Sequence, residues 1–63
     1  MPLIEVTLVE GRPYEAIRQL ISEITAAAEH SIGAPKSSIR VVIREVPKSH
    51  WAAGDVTIAE REG

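Results

Sequence analysis

Pro2-Leu3-Ile4-Glu5-Val6-Thr7-Leu8-Val9 decides the fold of this chain. The stretch alternates: Ile4, Val6 and Leu8 point one way, and Leu3, Glu5, Thr7 and Val9 the other, the period of a half-buried strand. Its β-branched content agrees. Proline has no N–H and a fixed φ, so it suits the first position of a strand and not its interior. Pro2 also has a chemical reading. An initiator methionine is usually removed when the next residue is small, and proline qualifies. Removal of Met1 leaves Pro2 with a free secondary amine, which acts as a base or nucleophile where its surroundings keep it unprotonated.

Glu10-Gly11-Arg12 breaks the alternation, and Gly11 permits a turn. Pro13 fits the first position of a helix, and Glu15 suits the helix dipole in the first turn. Ile17, Leu20, Ile21, Ile24, Ala27, Ala28, Ser31 and Ile32 then recur at spacings of three and four, one apolar stripe of an amphipathic helix. Gly33 is a C-terminal cap and Pro35 prevents continuation, so the helix spans 13–32. Pro35-Lys36-Ser37-Ser38 reads as a loop and Ile39 to Val46 as a second strand, with Ile39, Val41 and Ile43 on one face and Arg40, Val42 and Arg44 on the other. Trp51 to Asp55 reads as a loop with a turn signal at Gly54-Asp55. Val56-Thr57-Ile58 is a short strand before a polar tail from Ala59 to Gly63. Strand, helix, strand with a long connection implies a βαβ unit, its strands parallel and its crossover right-handed. The expected class is α+β: one domain over 1–63, a βαβ subunit with a short C-terminal hairpin.

Size bears on assembly. A chain of 6.8 kDa exposes about 9,900 Å² unfolded and about 4,000 Å² as a compact monomer. Apolar burial then contributes about 90 kcal/mol, against about 95 kcal/mol for ordering the chain. Chains so balanced need a disulfide, a metal or a partner subunit. The sequence has no cysteine, and His30 and His50 have no ligand spacing with any acidic cluster. Self-association remains. The mixed second face of the sheet, Leu3, Val9 and Val42 beside Glu5, Thr7, Arg40 and Arg44, points the same way, because a parallel sheet needs both faces covered.

Seven basic and nine acidic residues give a net charge of −2, against non-specific nucleic-acid binding. One Trp, one Tyr and no Phe leave little for base stacking. No apolar run approaches membrane-spanning length, and no signal peptide is evident. The expectation is a cytoplasmic protein without nucleic-acid or membrane partners, metal or cofactor.

Taken together, Pro2 opening a strand, Glu10-Gly11-Arg12 at its end, a helix closed by Gly33-Ala34-Pro35, the strand Ser38-Ile39-Arg40-Val41-Val42-Ile43 and the aromatic Trp51 resemble the 4-oxalocrotonate tautomerase family, small subunits of the tautomerase superfamily. The resemblance covers nearly the whole chain. It implies the tautomerase (MIF-like) fold and a homohexamer, a trimer of dimers, with sites that draw residues from neighbouring subunits. It implies an isomerase that ketonises 2-hydroxydienoates such as 2-hydroxymuconate, in aromatic hydrocarbon catabolism. The matching positions are Pro2 as catalytic base and Arg12, Arg40, Trp51 and Val9 as substrate-binding residues. Ala52-Ala53-Gly54-Asp55 departs from a glycine-richer stretch common in the family, and bears on the substrate more than on the chemistry.

The residue types suit that chemistry. Moving a proton between an enol oxygen and carbon needs one group that takes and returns it, with a pKa near ambient pH. Cations and an apolar wall disfavour the charged amine; Arg12 and Arg40 supply the first, Val9 and Trp51 the second. Guanidinium also binds carboxylate bidentately. Following the family, Arg40 holds a carboxylate and the adjacent 2-oxygen, and Arg12 holds the far carboxylate. Outside the family pattern Arg12 reads as a solvated charge beside a turn, Arg40 as an edge charge and Trp51 as an interface anchor. Arg44 and Glu45 read as structural, His30 as a partner of the helix dipole, and Tyr14 as packing; His50 gets no catalytic role. The same amine could serve a hydratase or dehalogenase, which needs a further carboxylate, with Glu5 and Glu10 the nearest. A third reading is a non-catalytic subunit or small-molecule binding protein on the same scaffold.

Overall fold

The computed structural model describes residues 1–63. The elements run β1 (Leu3–Val9), α1 (Tyr14–Ile32), β2 (Arg40–Val46), β3 (Ala52–Ala53), β4 (Val56–Thr57) and α2 (Ile58–Glu62), with single 3-10 turns at Lys36–Ser38 and Lys48–His50. β1 and β2 pair in parallel, in a register from Leu3 opposite Arg40 to Val9 opposite Val46. This is the expected βαβ unit. Pro13 is the N-cap of α1, with φ −68° and ψ 156°, and Gly33 caps the other end in the left-handed region at φ 70°, the conformation that glycine adopts without a Cβ penalty.

Ile4, Val6 and Leu8 of β1 and Val41 and Ile43 of β2 are half-buried, and α1 packs chiefly over β2. Ile39, 8% exposed, is the only buried residue of the chain. It lies just before β2 instead of opening it. The helix stripe is shorter than the spacing suggests. Ile17, Leu20, Ile21, Ile24 and Ala28 turn inward, whereas Ala27 and Ser31 are exposed and Ile32 is 67% exposed. Tyr14 is 72% exposed, so it does not pack within the subunit.

The C-terminal segment carries more structure than a loop, a strand and a tail. β3 and β4 form an antiparallel hairpin, Ala52 opposite Thr57 and Ala53 opposite Val56. Gly54 and Asp55 between them both have positive φ, 59° and 65°, as a two-residue type I′ turn requires. Ile58 begins a helix instead of ending a strand. Thr57 Oγ1 accepts from the Glu60 N–H at 3.1 Å, and the Glu60 carboxylate accepts from the Thr57 N–H at 2.8 Å. That reciprocal capping box starts α2, satisfying two otherwise orphaned donors.

The Thr57 backbone bond, and then its side-chain bond, hold the Glu60 carboxyl below the ordinary glutamate range. A depressed carboxylate stabilises the fold above its unfolded pKa, and that contribution disappears as pH falls through the folded value. Acidification below the ordinary glutamate range is therefore expected to fray α2 before the parallel pair opens. Amide hydrogen exchange at Ala59–Glu62 reads this, and Thr57→Ala should give the same fraying at neutral pH. Equal protection of α2 in that variant would contradict the capping account.

The subunit does not close a core of its own. Its accessible surface is 4613 Å², about 600 Å² above the roughly 4,000 Å² of a compact monomer of this mass. Its radius of gyration is 14.8 Å against about 11 Å expected, and it measures 44 × 24 × 14 Å. On the sheet face away from α1, Leu3 is 59% and Val42 39% exposed, around a Glu5–Arg44 ion pair of 3.5 Å. No helix is long and apolar enough to cross a membrane.

Candidate active site

Parallel pairing puts the amino ends of both strands at one edge of the sheet. Pro2 precedes β1 there, and Arg40 opens β2. The two are bonded directly: the Arg40 N–H donates to the Pro2 carbonyl at 3.0 Å. Pro2 is half-buried, whereas Met1 lies outside any regular element and is 86% exposed. The proline is thus held from its carbonyl side, and the residue before it stands exposed.

The Arg40 guanidinium folds back over the preceding turn. Nη1 donates to Ser37 O at 2.9 Å and lies 3.5 Å from Ile39 O. Arg12 is held in the same manner: its Nη1 donates to Val9 O at 3.1 Å. Gly11 makes that possible, since its φ of 131° lies in a region that side chains other than glycine's rarely adopt. Neither arginine pairs with a carboxylate. Arg44 and Lys48 do, with Glu5 at 3.5 Å and Glu62 at 2.7 Å. Arg12 and Arg40 therefore keep a full positive charge beside carbonyl oxygens, with donors free for an external anion.

The two arginines are not neighbours. Arg12 follows the carboxyl end of β1, and a seven-residue strand separates it from the Pro2 edge by about 20 Å. Val9 lies at that far end, opposite Val46. Trp51 also follows the carboxyl end of β2. It is 39% exposed, and its carbonyl accepts from the Ile58 N–H at 3.0 Å. One subunit therefore presents two half-sets: Pro2 with Arg40 at one edge, and Arg12, Val9 and Trp51 at the other. The carboxylates considered for activating water are each engaged or distant. Glu5 is engaged with Arg44, and Glu10 follows the far end of β1.

A groove of about 350 Å³ runs between α1 and the turn before β2, lined among others by Arg18, Ser22, Thr25, Glu29, Lys36 and Ile39. None of the five residues matched to the family lines it. Ser38, which sequence reasoning passed over as loop, shapes the ground under Arg40: its Oγ donates to Pro35 O at 2.9 Å. Its place three residues after a proline and two before Arg40 carries no periodic signal that could have singled it out.

The chain is similar to known proteins over almost all of its length. The tautomerase family, described as tautomerase enzyme, matches residues 2–61. A probable tautomerase of Ralstonia nicotianae is 54% identical over 56 residues, 89% of this chain and 80% of the relative. The crystal structure of a 4-oxalocrotonate tautomerase homologue of the tomaymycin biosynthetic pathway superposes with a TM-score of 0.94 at 41% identity, covering 97% of this chain and 94% of that one. A heterohexameric 4-oxalocrotonate tautomerase of Chloroflexus aurantiacus gives a TM-score of 0.90 at 37% identity, over 95% and 97% of the two chains. Sequence, element order and three-dimensional fold agree: the chain belongs to the tautomerase family and is an isomerase with the 4-oxalocrotonate tautomerase fold.

Proposed function

We propose that the protein ketonises a 2-hydroxydienoate such as 2-hydroxymuconate, with Pro2 as the general base once Met1 has been removed. The observation that carries this reading is the hydrogen bond from the Arg40 N–H to the Pro2 carbonyl, 3.0 Å long. It ties the residue that would carry the amine to the backbone of Arg40, whose guanidinium has no carboxylate partner in the chain. A guanidinium brought to the site would disfavour the charged form of the amine, and so would partial burial. Pro2 then takes the proton of the 2-hydroxyl and returns it to a carbon of the conjugated chain, while Arg40 holds the neighbouring carboxylate and steadies the charge that develops on the 2-oxygen. Arg12 holds the far carboxylate, and Val9 and Trp51 wall the pocket. The context we assign is aromatic hydrocarbon catabolism. We also assign the protein to the cytoplasm.

Arg12 reaches this site only from another subunit, because about 20 Å of strand separates it from its own Pro2. We therefore propose a homohexamer, a trimer of dimers. The bare sheet face with Leu3 and Val42 and the extended shape of the subunit support assembly, and the Chloroflexus aurantiacus relative is a heterohexamer.

The test is a ketonisation assay with 2-hydroxymuconate across pH, on protein whose N-terminus has been read by mass spectrometry. Trimmed protein should be active, with the rate falling on the acid side as the amine is protonated. A form blocked by a residue before Pro2 should be inactive. Full activity in the blocked form would remove Pro2 as the base; no activity in the trimmed form would favour a non-catalytic subunit or another substrate.

A further inference from the structure

We infer that Ser38 is a positioning residue for Arg40: its hydroxyl closes the turn whose carbonyls hold the guanidinium. The turn is Pro35-Lys36-Ser37-Ser38, and it closes twice on one oxygen. The Ser38 N–H donates to Pro35 O at 2.9 Å, and Ser38 Oγ donates to the same oxygen at 2.9 Å. The Ile39 N–H follows with a bond to Lys36 O at 3.2 Å. So shaped, the turn presents Ser37 O to Arg40 Nη1 at 2.9 Å, with Ile39 O at 3.5 Å from the same nitrogen. The Arg40 N–H is already committed to Pro2 O at 3.0 Å. One turn thus sets the direction of the guanidinium at the residue whose backbone anchors the proline.

The physical case rests on entropy. A free arginine side chain samples many rotamers, and a ligand that recruits it must offset that freedom. Seating Nη1 on two backbone carbonyls removes much of the cost beforehand and leaves Nε and Nη2 without partners in the chain, available to a carboxylate and its neighbouring oxygen. Removing the Ser38 hydroxyl leaves the Ser38 N–H on Pro35 O, so the turn survives but loosens. For its kinetic consequence the inference rests on the role proposed above for Arg40; the positioning itself does not.

The experiment compares the full-length chain with Ser38→Ala, Ser38→Thr, Arg40→Ala and the Ser38→Ala/Arg40→Ala double variant. The first readout is the Arg40 side-chain NMR signal. Its Nη1 protons should exchange slowly in the native chain, average with the others in Ser38→Ala, and recover in Ser38→Thr, which keeps the hydroxyl. An unchanged Arg40 signal in Ser38→Ala overturns the inference, whatever the activity. The second readout is kinetic, with 2-hydroxymuconate as the probe. Ser38→Ala should raise KM and lower kcat/KM about fivefold, the factor of one ordinary hydrogen bond, and Ser38→Thr should restore both. A smaller fraction of folded enzyme lowers kcat and leaves KM alone, so the rise in KM separates positioning from damage. In the Arg40→Ala background the further loss from Ser38→Ala should vanish. The same factor in both backgrounds overturns the inference. If the native chain does not ketonise the probe while the Arg40 signal responds as described, the substrate reading fails and the positioning of Arg40 stands.

Discussion

Exchanging Pro2 for alanine is expected to lower kcat/KM for ketonisation of 2-hydroxymuconate by about 10²-fold or more, the low end of what a general base contributes, with fold and assembly unchanged. The structural part follows from what Pro2 does in the sheet. It has no N–H to donate, and its carbonyl, which accepts from the Arg40 N–H, is present in any residue. Alanine can therefore keep the strand opening. The chemical part follows from the amine. Methionine is also trimmed before alanine, so the variant retains a terminal amine, but a primary one that swings about a bond the pyrrolidine ring had locked. Its basicity and its direction both change. The ascending limb of the pH–rate profile should move, not only the plateau, because that limb titrates the base itself. Gel filtration and the circular dichroism spectrum should match those of the native protein. Retention of more than about half of the native kcat/KM, with an unmoved pH profile, would remove Pro2 from the proton transfer.

Much of this was legible in the sequence, for a reason that can be named. The alternation from Leu3 to Val9, the stripe from Ile17 to Ala28 and the pair Gly33 and Pro35 each obey a local rule, and all agree on βαβ. The misreadings sit where the local signal is short or where an apolar face is left uncovered by the chain's own fold. Ala52-Ala53 has no β-branched residue to mark a strand; only the turn residues Gly54-Asp55 revealed a hairpin. The helix from Ile58 was spelled by Thr57-Ile58-Ala59-Glu60, a capping-box pattern, yet Val56-Thr57-Ile58 read first as β-branched. Ile32 and Tyr14 looked like packing residues and are exposed, because periodicity identifies an apolar face without saying which molecule covers it. The division of the candidate site into two half-sets needs only the parallel register and the length of a strand. The turn that holds Arg40 was not legible, since a serine hydroxyl reaching back three residues leaves no periodic trace.

Mixing two crippled proteins, Arg12→Ala and Arg40→Ala, is expected to restore activity to about one quarter of native when the chains are unfolded and reassembled together, the share of sites that random assembly in a symmetric oligomer makes whole. Each parent alone should lose about 10²-fold in kcat/KM, since a charged, bidentate contact to a carboxylate is removed in each. The recovery follows from the geometry. Pro2 and Arg40 share one edge of the sheet, joined by a 3.0 Å hydrogen bond. Arg12 and Trp51 follow the carboxyl ends of β1 and β2, about 20 Å away. No side chain spans that distance, so a site that uses both arginines takes them from different subunits. A chain lacking Arg12 still carries a sound Arg40, and the reverse holds for the other variant. Some interfaces in the mixture therefore join a sound Arg40 to a sound Arg12. If every functional group came from one chain, each site in the mixture would lack one arginine and no recovery would occur. Mixing the folded variants without reassembly controls for exchange, and mass spectrometry of the intact assemblies confirms that the chains have combined. Mixed assemblies with only the parental activity would mean that no site joins Arg12 of one subunit to Arg40 of another.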